Sequence, residues 1–191
     1  IKKFGADSVR FFILADSPPE RDIQWSDEGM RSSFKFVQKF WILSNKISEL
    51  AKKNSLEENE EINLFTNQAI NKIDNALEKF RYNVIIATYH EIYTFFKKIV
   101  ENGSNFKNLK ENFKKILTVM LPVIPHLANE CLEKMNLNKE ISWPLIEKKY
   151  LIVDNNDIVI QVNGKKRGII SIDKNASEKD VINEIYKKKI I

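Results

Sequence analysis

Residues 4–14 read FGADSVRFFIL and residues 16–25 read DSPPERDIQW, and together they decide how the rest of the chain folds. The first stretch has a helical pattern, but its apolar run at 11–14 leaves almost no polar face. We therefore expect a helix wedged between two layers. The second stretch cannot continue that helix, because its two consecutive prolines lack amide donors and restrict the residues before them. We interpret residues 1–25 as a joint to a part of the protein that precedes Ile1.

The composition is that of a globular protein. Of the 191 residues, 43% are hydrophobic and 30% are charged, which suits one domain or a domain with a small module. No apolar run approaches the ~18 residues that a membrane span needs, and no signal peptide is recognisable, so we expect no membrane partner. The single cysteine, Cys131, excludes an internal disulfide and suits a reducing compartment, which predicts a cytoplasmic protein.

The formal net charge of +5 is a weak sign of a polyanionic partner. It is weak because the chain is rich in Lys, Asn and Ile throughout, so that many lysines need no binding role. From Leu145 onward there are ten Lys or Arg against seven Asp or Glu. The positive excess is therefore concentrated towards the end of the chain, where the residue pattern also changes.

Residues 26–144 have the periodicity of an antiparallel helical bundle with short connections. Ser26 is the predicted cap of a long first helix, and Thr66 and Asn83 are the predicted caps of the next two. Two adjacent apolar stripes on the first of these helices indicate an interior position. Trp41 belongs to one stripe, so we expect it in the core, where its replacement by alanine would cost about 3–5 kcal/mol.

The chain offers no pattern of catalytic residues. His90 and His126 stand in helical segments with no Cys or Asp at the spacing of metal ligands, so we expect both to be structural. Asp7 and Arg10 lie three residues apart on one helix face, which predicts an ion pair that helps to lock the joint. The sequence therefore predicts binding and not chemistry.

After Tyr150 the period changes from helical to two, which predicts a β-hairpin. Alternating apolar residues run up to Asn163-Gly164 and resume after Gly168. An Asn-Gly pair usually forms a two-residue loop. A three-residue loop instead keeps every alternating apolar residue on one face, so we predict the longer loop.

The opposite face of the hairpin then carries the polar residues, namely Gln161, Lys165 and Arg167, with Lys166 near the rim. A capping pair, Ser177 and Asp180, opens a final helix. We therefore predict a mainly α protein in which a helical bundle is followed by a small α/β module with one hairpin and one helix.

Several segments resemble class I aminoacyl-tRNA synthetases, and the leucyl-tRNA synthetases in particular. The segments are Gly5-Ala6-Asp7 with Arg10, Ser17-Pro18-Pro19 with Asp22 and Trp25-Ser26, Pro122–Leu127 with Glu130, Trp143-Pro144, and Ile160–Lys165 with Arg167-Gly168. The hairpin signature is the most specific of them. The resemblance covers the whole chain at matching spacing.

The resemblance implies three parts. Residues 1–25 would form the joint to a catalytic domain, with Asp7, Arg10 and Trp25 as its residues. Residues 26–144 would form the bundle of the anticodon-binding type, and residues 145–191 part of a C-terminal tRNA-binding domain. ATP and Mg would bind the parent enzyme and not this fragment, which would lack catalytic residues and a cofactor of its own.

The resemblance also implies a monomeric protein whose partners are tRNA(Leu) and the upstream catalytic domain. A basic hairpin can neutralise phosphates without reading sequence, which suits a protein that recognises tRNA shape. The candidate tRNA-binding residues are Lys165, Lys166, Arg167, Gln161 and Asn163 on the hairpin and Arg31, Lys35 and Lys39 on one face of the bundle. An independent synthetase-like RNA-binding module is the alternative.

Overall fold

The computed structural model describes residues 1–16, 22–53, 55–151, 155–173 and 176–188. The chain divides into two compact units, Ile1–Glu147 and Lys148–Ile191. Ser17–Arg21, which include the two prolines predicted to end the first helix, lie outside the described residues. No helix in the described ranges is long and apolar enough to cross a membrane.

The described residues of the first unit form a bundle of six helices. In chain order these are α1 Ala6–Asp16, α2 Asp27–Leu50, α3 Glu60–Glu78, α4 Tyr82–Glu101, α5 Leu109–Met120 and α6 Pro125–Lys134. The second unit contains a 3₁₀ turn Lys148–Tyr150, strands β1 Asn155–Val162 and β2 Lys165–Asp173, and helix α7 Glu178–Lys187. The predicted fold class, a mainly α bundle followed by a hairpin and a helix, is confirmed.

The predicted helix caps are partly correct. Ser26 caps α2, because its side chain accepts a hydrogen bond from the Gly29 amide. Thr66 is not a cap but a buried residue inside α3, and Asn59 caps that helix by accepting from the Glu61 amide. The charged run before Glu61 hid this earlier start, since it has the composition of a solvated loop. Asn83 likewise lies inside α4.

Helix α1 packs against α2, α4 and α6 but is not enclosed on all sides. Phe11 and Phe12 are buried, whereas Ile13 is 43% exposed. The Phe12 ring lies so close to Gly29 that a Cβ there would stand 2.6 Å from Cε2 of that ring. A glycine at this position of α2 is therefore what lets α1 approach. The prediction of a helix wedged between two layers is therefore only partly correct, because one side of α1 is exposed.

Aromatic rings join α2, α4 and α5 at the centre of the bundle. Phe113 is fully buried, with its ring centroid 6.0 Å from that of Phe40 and 5.2 Å from that of Phe96. Tyr89 is also fully buried and donates a hydrogen bond from its hydroxyl to the Val119 carbonyl, at 2.9 Å. Burial raises the pKa of Tyr89 well above its ordinary value, so the hydroxyl remains a donor.

Trp41 is not the core residue that its stripe predicts. It is only partly buried and packs at the edge of the core, with Lys134 Nζ lying 4.8 Å from its ring centroid. The physical reason is that the neighbouring helices cover only part of the apolar surface of α2, and Trp41 lies at the edge of the covered part. Its replacement by alanine should therefore cost less than the 3–5 kcal/mol of a buried aromatic residue.

The segment that leaves the bundle is held on α3 by two hydrogen bonds. Trp143 Nε1 donates to Asp74 Oδ1 at 3.0 Å, and the Glu147 amide donates to Asn67 Oδ1 at 2.8 Å. Partial burial raises the pKa of Asp74, while the bond from Trp143 opposes that rise. These contacts fix the path of the chain up to the end of the first unit.

The hairpin of the second unit has a tighter loop than predicted. Val162 pairs with Lys165, so the loop contains only Asn163 and Gly164. Their φ angles are 53° and 74°, which is the pair of positive values that a type I′ turn requires. The prediction of a three-residue loop is wrong.

A β-bulge reconciles this short loop with the apolar pattern. The register shifts after Gln161 pairs with Lys166, so that Gly168 pairs with Ile160 and Arg167 is the extra residue. Beyond the bulge, even-numbered residues pair with even-numbered ones, as the apolar alternation requires. One inserted residue in the strand thus does what the longer loop was predicted to do.

One face of the hairpin is buried within the second unit, where α7 packs on β2. Ile170 is fully buried and Ile160 is 8% exposed. Ser177 and Asp180 form the predicted capping box at the start of α7. Ile182, on the same helix, is exposed.

Candidate nucleic-acid interface

The hairpin tip presents exposed polar side chains on and beside a two-residue turn. Lys166 and Arg167 together oppose Gln161, because the bulge places two residues of β2 against one of β1. Lys165 pairs with Val162 and so belongs to the other face, contrary to the predicted grouping with Gln161. All three cations are exposed, as is Asn163 in the turn.

The bulge is what brings Arg167 beside Lys166. In an unbroken strand consecutive side chains point to opposite faces, which would separate these two charges. With the bulge, the side chains of Lys166 and Arg167 lie opposite that of Gln161, next to the two-residue turn. Such a cluster can donate hydrogen bonds to phosphate oxygens.

The second predicted basic set lies on α2. Arg31, Lys35 and Lys39 follow one another at a spacing of four residues and are all exposed. Lys39 lies near His90, whose ring packs edge-on to Phe36 at 4.6 Å between centroids. Burial lowers the pKa of His90, and the charge of Lys39 lowers it further. His90 therefore adds no charge to this row at neutral pH.

Asp7 and Arg10 do not form the predicted ion pair with each other. The Arg10 guanidinium donates from Nε to the Val123 carbonyl at 2.8 Å and from Nη2 to the Pro122 carbonyl at 2.6 Å. Both carbonyls belong to the turn just beyond the end of α5. The cation is thus bound to the turn between α5 and α6 and not to the neighbouring carboxylate.

The Asp7 carboxylate caps the start of α6 from another helix. It accepts hydrogen bonds from the Leu127 amide at 2.6 Å and the His126 amide at 3.4 Å, and His126 Nδ1 lies 2.8 Å from Oδ1. The residue at the N-cap position of α6, Ile124, makes no side-chain cap bond. The sequence predicts no acidic partner for His126, but in the fold its ring is hydrogen-bonded to Asp7, a buried acid on another helix.

Replacing Asp7 with alanine should lower the free energy of unfolding of the bundle by about 0.5–2 kcal/mol, the usual effect of losing a helix cap. The loss is expected because the buried Leu127 amide would keep no acceptor in its place. Denaturant unfolding followed by helical circular dichroism measures it. Glu133→Ala, at an exposed position near the other end of α6, is the control and should change stability by less than about 0.5 kcal/mol. Equal midpoints for the two variants would contradict the cap.

Trp25, the third predicted joint residue, is 60% exposed. Its ring meets that of Phe12 edge-on at 5.4 Å, and its Nε1 donates to Asp27 Oδ1 at 3.1 Å. The side chain is thus oriented by local contacts but leaves most of its surface uncovered.

The described side chains show no arrangement for metal or nucleophilic chemistry. Within the described ranges, no three His, Cys, Asp or Glu residues come together as metal ligands. Cys131 is buried, and this burial raises the pKa of its thiol to about 11, which disfavours the reactive thiolate.

Comparison with known proteins agrees with this geometry. Residues 59–182 match the family described as the anticodon-binding domain of tRNA ligase. The leucine–tRNA ligase of Hyphomonas neptunium is 32% identical over 180 residues, which cover 91% of this chain and 21% of that protein. The enzyme of Bradyrhizobium diazoefficiens is 33% identical over 187 residues, covering 90% of this chain and 21% of that protein. The chain spans about a fifth of the length of these relatives.

A solved structure shares the fold. It is the ternary complex of the agnB2 LeuRS of Agrobacterium radiobacter K84 with tRNA and LeuAMS, which aligns with a TM-score of 0.73 at 23% identity. The alignment covers 96% of this chain and 25% of that one. These relatives are leucine–tRNA ligases, and the chain itself belongs to the family of anticodon-binding domains of tRNA ligases.

Proposed function

We propose that this chain is the part of a leucine–tRNA ligase that binds tRNA(Leu) and holds it for aminoacylation by a catalytic part outside these residues. The observation that carries the proposal is the bulged hairpin tip, where Lys166 and Arg167 are exposed across from Gln161. The family supports the same reading, since its members are tRNA ligases.

The tip suits phosphate binding better than base reading. Exposed lysine and arginine side chains neutralise phosphates and fix the register of a nucleic acid without carrying sequence information. The type I′ turn limits the freedom of the backbone that bears them, so less entropy is lost when the tRNA binds. Lys165 and Asn163 would extend this contact, and Arg31, Lys35 and Lys39 on α2 would form a second one.

The catalytic steps belong to the rest of the synthetase in this proposal. ATP and Mg would bind there, and the enzyme would act as a monomer in the cytoplasm. Residues 1–25 would form the joint, residues 26–144 the bundle and residues 145–191 part of the C-terminal tRNA-binding domain. Asp7 binds the start of α6 and Arg10 binds the turn before it, whereas Trp25 is 60% exposed and leaves most of its surface to a neighbour.

The isolated chain should bind tRNA(Leu) but catalyse nothing. We expect no leucine-dependent pyrophosphate exchange above a blank, because the described residues bring together no catalytic group. Binding measured by fluorescence anisotropy should weaken as salt rises, with a log–log slope of about 0.7–0.9 for each phosphate contacted. Exchange activity would contradict the assignment of catalysis to other residues. Failure to bind tRNA(Leu) at low salt would contradict the proposed function itself.

A further inference from the structure

The turn between α3 and α4 exposes an aromatic ring from an unusual backbone position. Phe80 is 62% exposed, and its φ is 52°, in the left-handed region that L side chains rarely adopt. A bulky residue in this region is an outlier whose backbone conformation costs free energy. Its ring meets that of Tyr82 edge-on at 6.3 Å, which orients the ring but leaves most of its surface uncovered. Neither core packing nor backbone preference therefore explains a phenylalanine here.

The backbone at this turn forms a Schellman motif, in which the left-handed position usually holds glycine and sometimes asparagine. The Arg81 amide donates to the Ala76 carbonyl at 2.8 Å, and the Phe80 amide donates to the Leu77 carbonyl at 3.1 Å. These two bonds involve only backbone atoms, so they form with any residue that accepts a positive φ. The motif thus needs the conformation of Phe80 but not its ring.

Helix α6 ends in the same motif with the usual kinds of residue. Its left-handed position is Asn136, with a φ of 55°, and the next residue, Leu137, packs on the core. The amides of these two residues make the same pair of backbone bonds, at 2.9 and 2.8 Å. The end of α3 differs at both positions, since it has Phe80 and Arg81 there, and both are exposed. The comparison within one chain indicates that this aromatic residue and this cation serve something other than the helix end.

The charges around the ring favour an anionic partner. Residues 79–82 read KFRY, so the turn contains two cations and no acid. Lys79 and Arg81 are exposed, and neither takes part in an ion pair among the described residues. The preceding acid, Glu78, belongs to the last turn of α3 and lies near Asp74, whose pKa it helps to raise. Helix α4 begins here without an acidic residue in its first turn, so its dipole adds to the positive potential.

We propose that Phe80 is a stacking platform for an exposed base of the tRNA, with Lys79 and Arg81 binding the phosphates on either side. Proteins bind unpaired nucleotides by combining aromatic rings, on which bases stack, with cations that follow the backbone. A ring that stands between two cations on a turn presents both parts together. The inference rests on the proposed function and adds to it a contact in the first unit, separate from the hairpin tip.

The test is equilibrium binding of tRNA(Leu) by the full-length synthetase carrying Phe80→Asn, measured by fluorescence anisotropy at several salt concentrations. Asparagine is the residue that α6 uses at the same position, so the variant keeps the turn and loses the ring. We expect the dissociation constant to rise about 5- to 150-fold, the range for losing one base stacked on an aromatic ring. The salt slope should stay the same, because no charge is removed. Phe80→Trp should retain the affinity, because its ring can still stack.

Leu56→Gly is the matched control, because it removes an apolar side chain that is 95% exposed but precedes two acids, Glu57 and Glu58. It should leave the affinity for tRNA unchanged. The urea midpoint of Phe80→Asn, followed by helical circular dichroism, should not fall below that of the wild type, because asparagine tolerates the left-handed conformation. The pair Lys79→Ala and Arg81→Ala should lower the salt slope by about 1.5–2 units.

Unchanged affinity in Phe80→Asn would overturn the proposal, as would an equal loss in Leu56→Gly. A lower urea midpoint would also overturn it, because the ring would then be packed against protein. An unchanged salt slope in the Lys79→Ala and Arg81→Ala pair would contradict the phosphate contacts. The hairpin pair Lys166→Ala and Arg167→Ala is measured in the same series. Weaker binding in that pair with unchanged binding in Phe80→Asn would overturn this inference alone, and unchanged binding in both would overturn the proposed function with it.

Discussion

Replacing Phe113 with alanine is expected to lower the free energy of unfolding of the bundle by about 3–5 kcal/mol. The ring is fully buried and packs on Phe40 and Phe96, so its loss leaves a cavity at the point where α2, α4 and α5 meet. Most domains have only about 5–15 kcal/mol of stability in total. The variant should therefore unfold at a much lower denaturant concentration, or fail to fold at 37 °C.

Phe80→Ala is the matched control for this measurement. It removes the same side chain from a position that is 62% exposed, at the turn between α3 and α4. We expect a change of less than about 0.5 kcal/mol. Urea unfolding of both variants, followed by helical circular dichroism, separates the two. Equal midpoints for the two variants would show that the aromatic cluster does not hold the bundle together.

The fold could be predicted because its main signals are local. Ser26, the apolar periodicity of the long helices and the Ser177–Asp180 pair each specify a helix or its start without reference to the rest of the chain. After Tyr150 the helical periodicity gives way to alternating apolar and polar residues, and this change correctly predicts the position of the hairpin. These signals depend on neighbours within one turn or one strand.

The errors lie where contacts distant in sequence decide the outcome. Asp7 and Arg10 are neighbours on one helix, but Asp7 binds amides in the first turn of α6 and Arg10 binds carbonyls of the turn before it. The amides that Asp7 binds lack a local acceptor because Ile124 supplies no cap, and the sequence around Asp7 does not show that the two segments meet. Trp41 was misplaced for a related reason, since an apolar stripe does not show how much of its width other helices cover.

The hairpin shows how two correct signals can be combined wrongly. The Asn-Gly pair favours a two-residue turn, and the apolar alternation requires even residues to pair with even ones. Both conditions hold at once because the bulge at Arg167 absorbs one residue. A bulge has no strong sequence signal of its own, so it could be found only from the conflict between the two.

The measurement that tests the central claim most directly is tRNA charging by a full-length synthetase carrying Lys166→Ala and Arg167→Ala. If these side chains bind phosphates, the tRNA(Leu) Michaelis constant should rise and the salt slope should fall by about 1.5–2 units. Leucine activation without tRNA should not change. The control pair Lys179→Ala and Lys188→Ala removes the same charge from exposed positions at α7. A Michaelis constant and a salt slope equal to those of the control pair would contradict the account, because the hairpin tip would then not be where the protein binds tRNA.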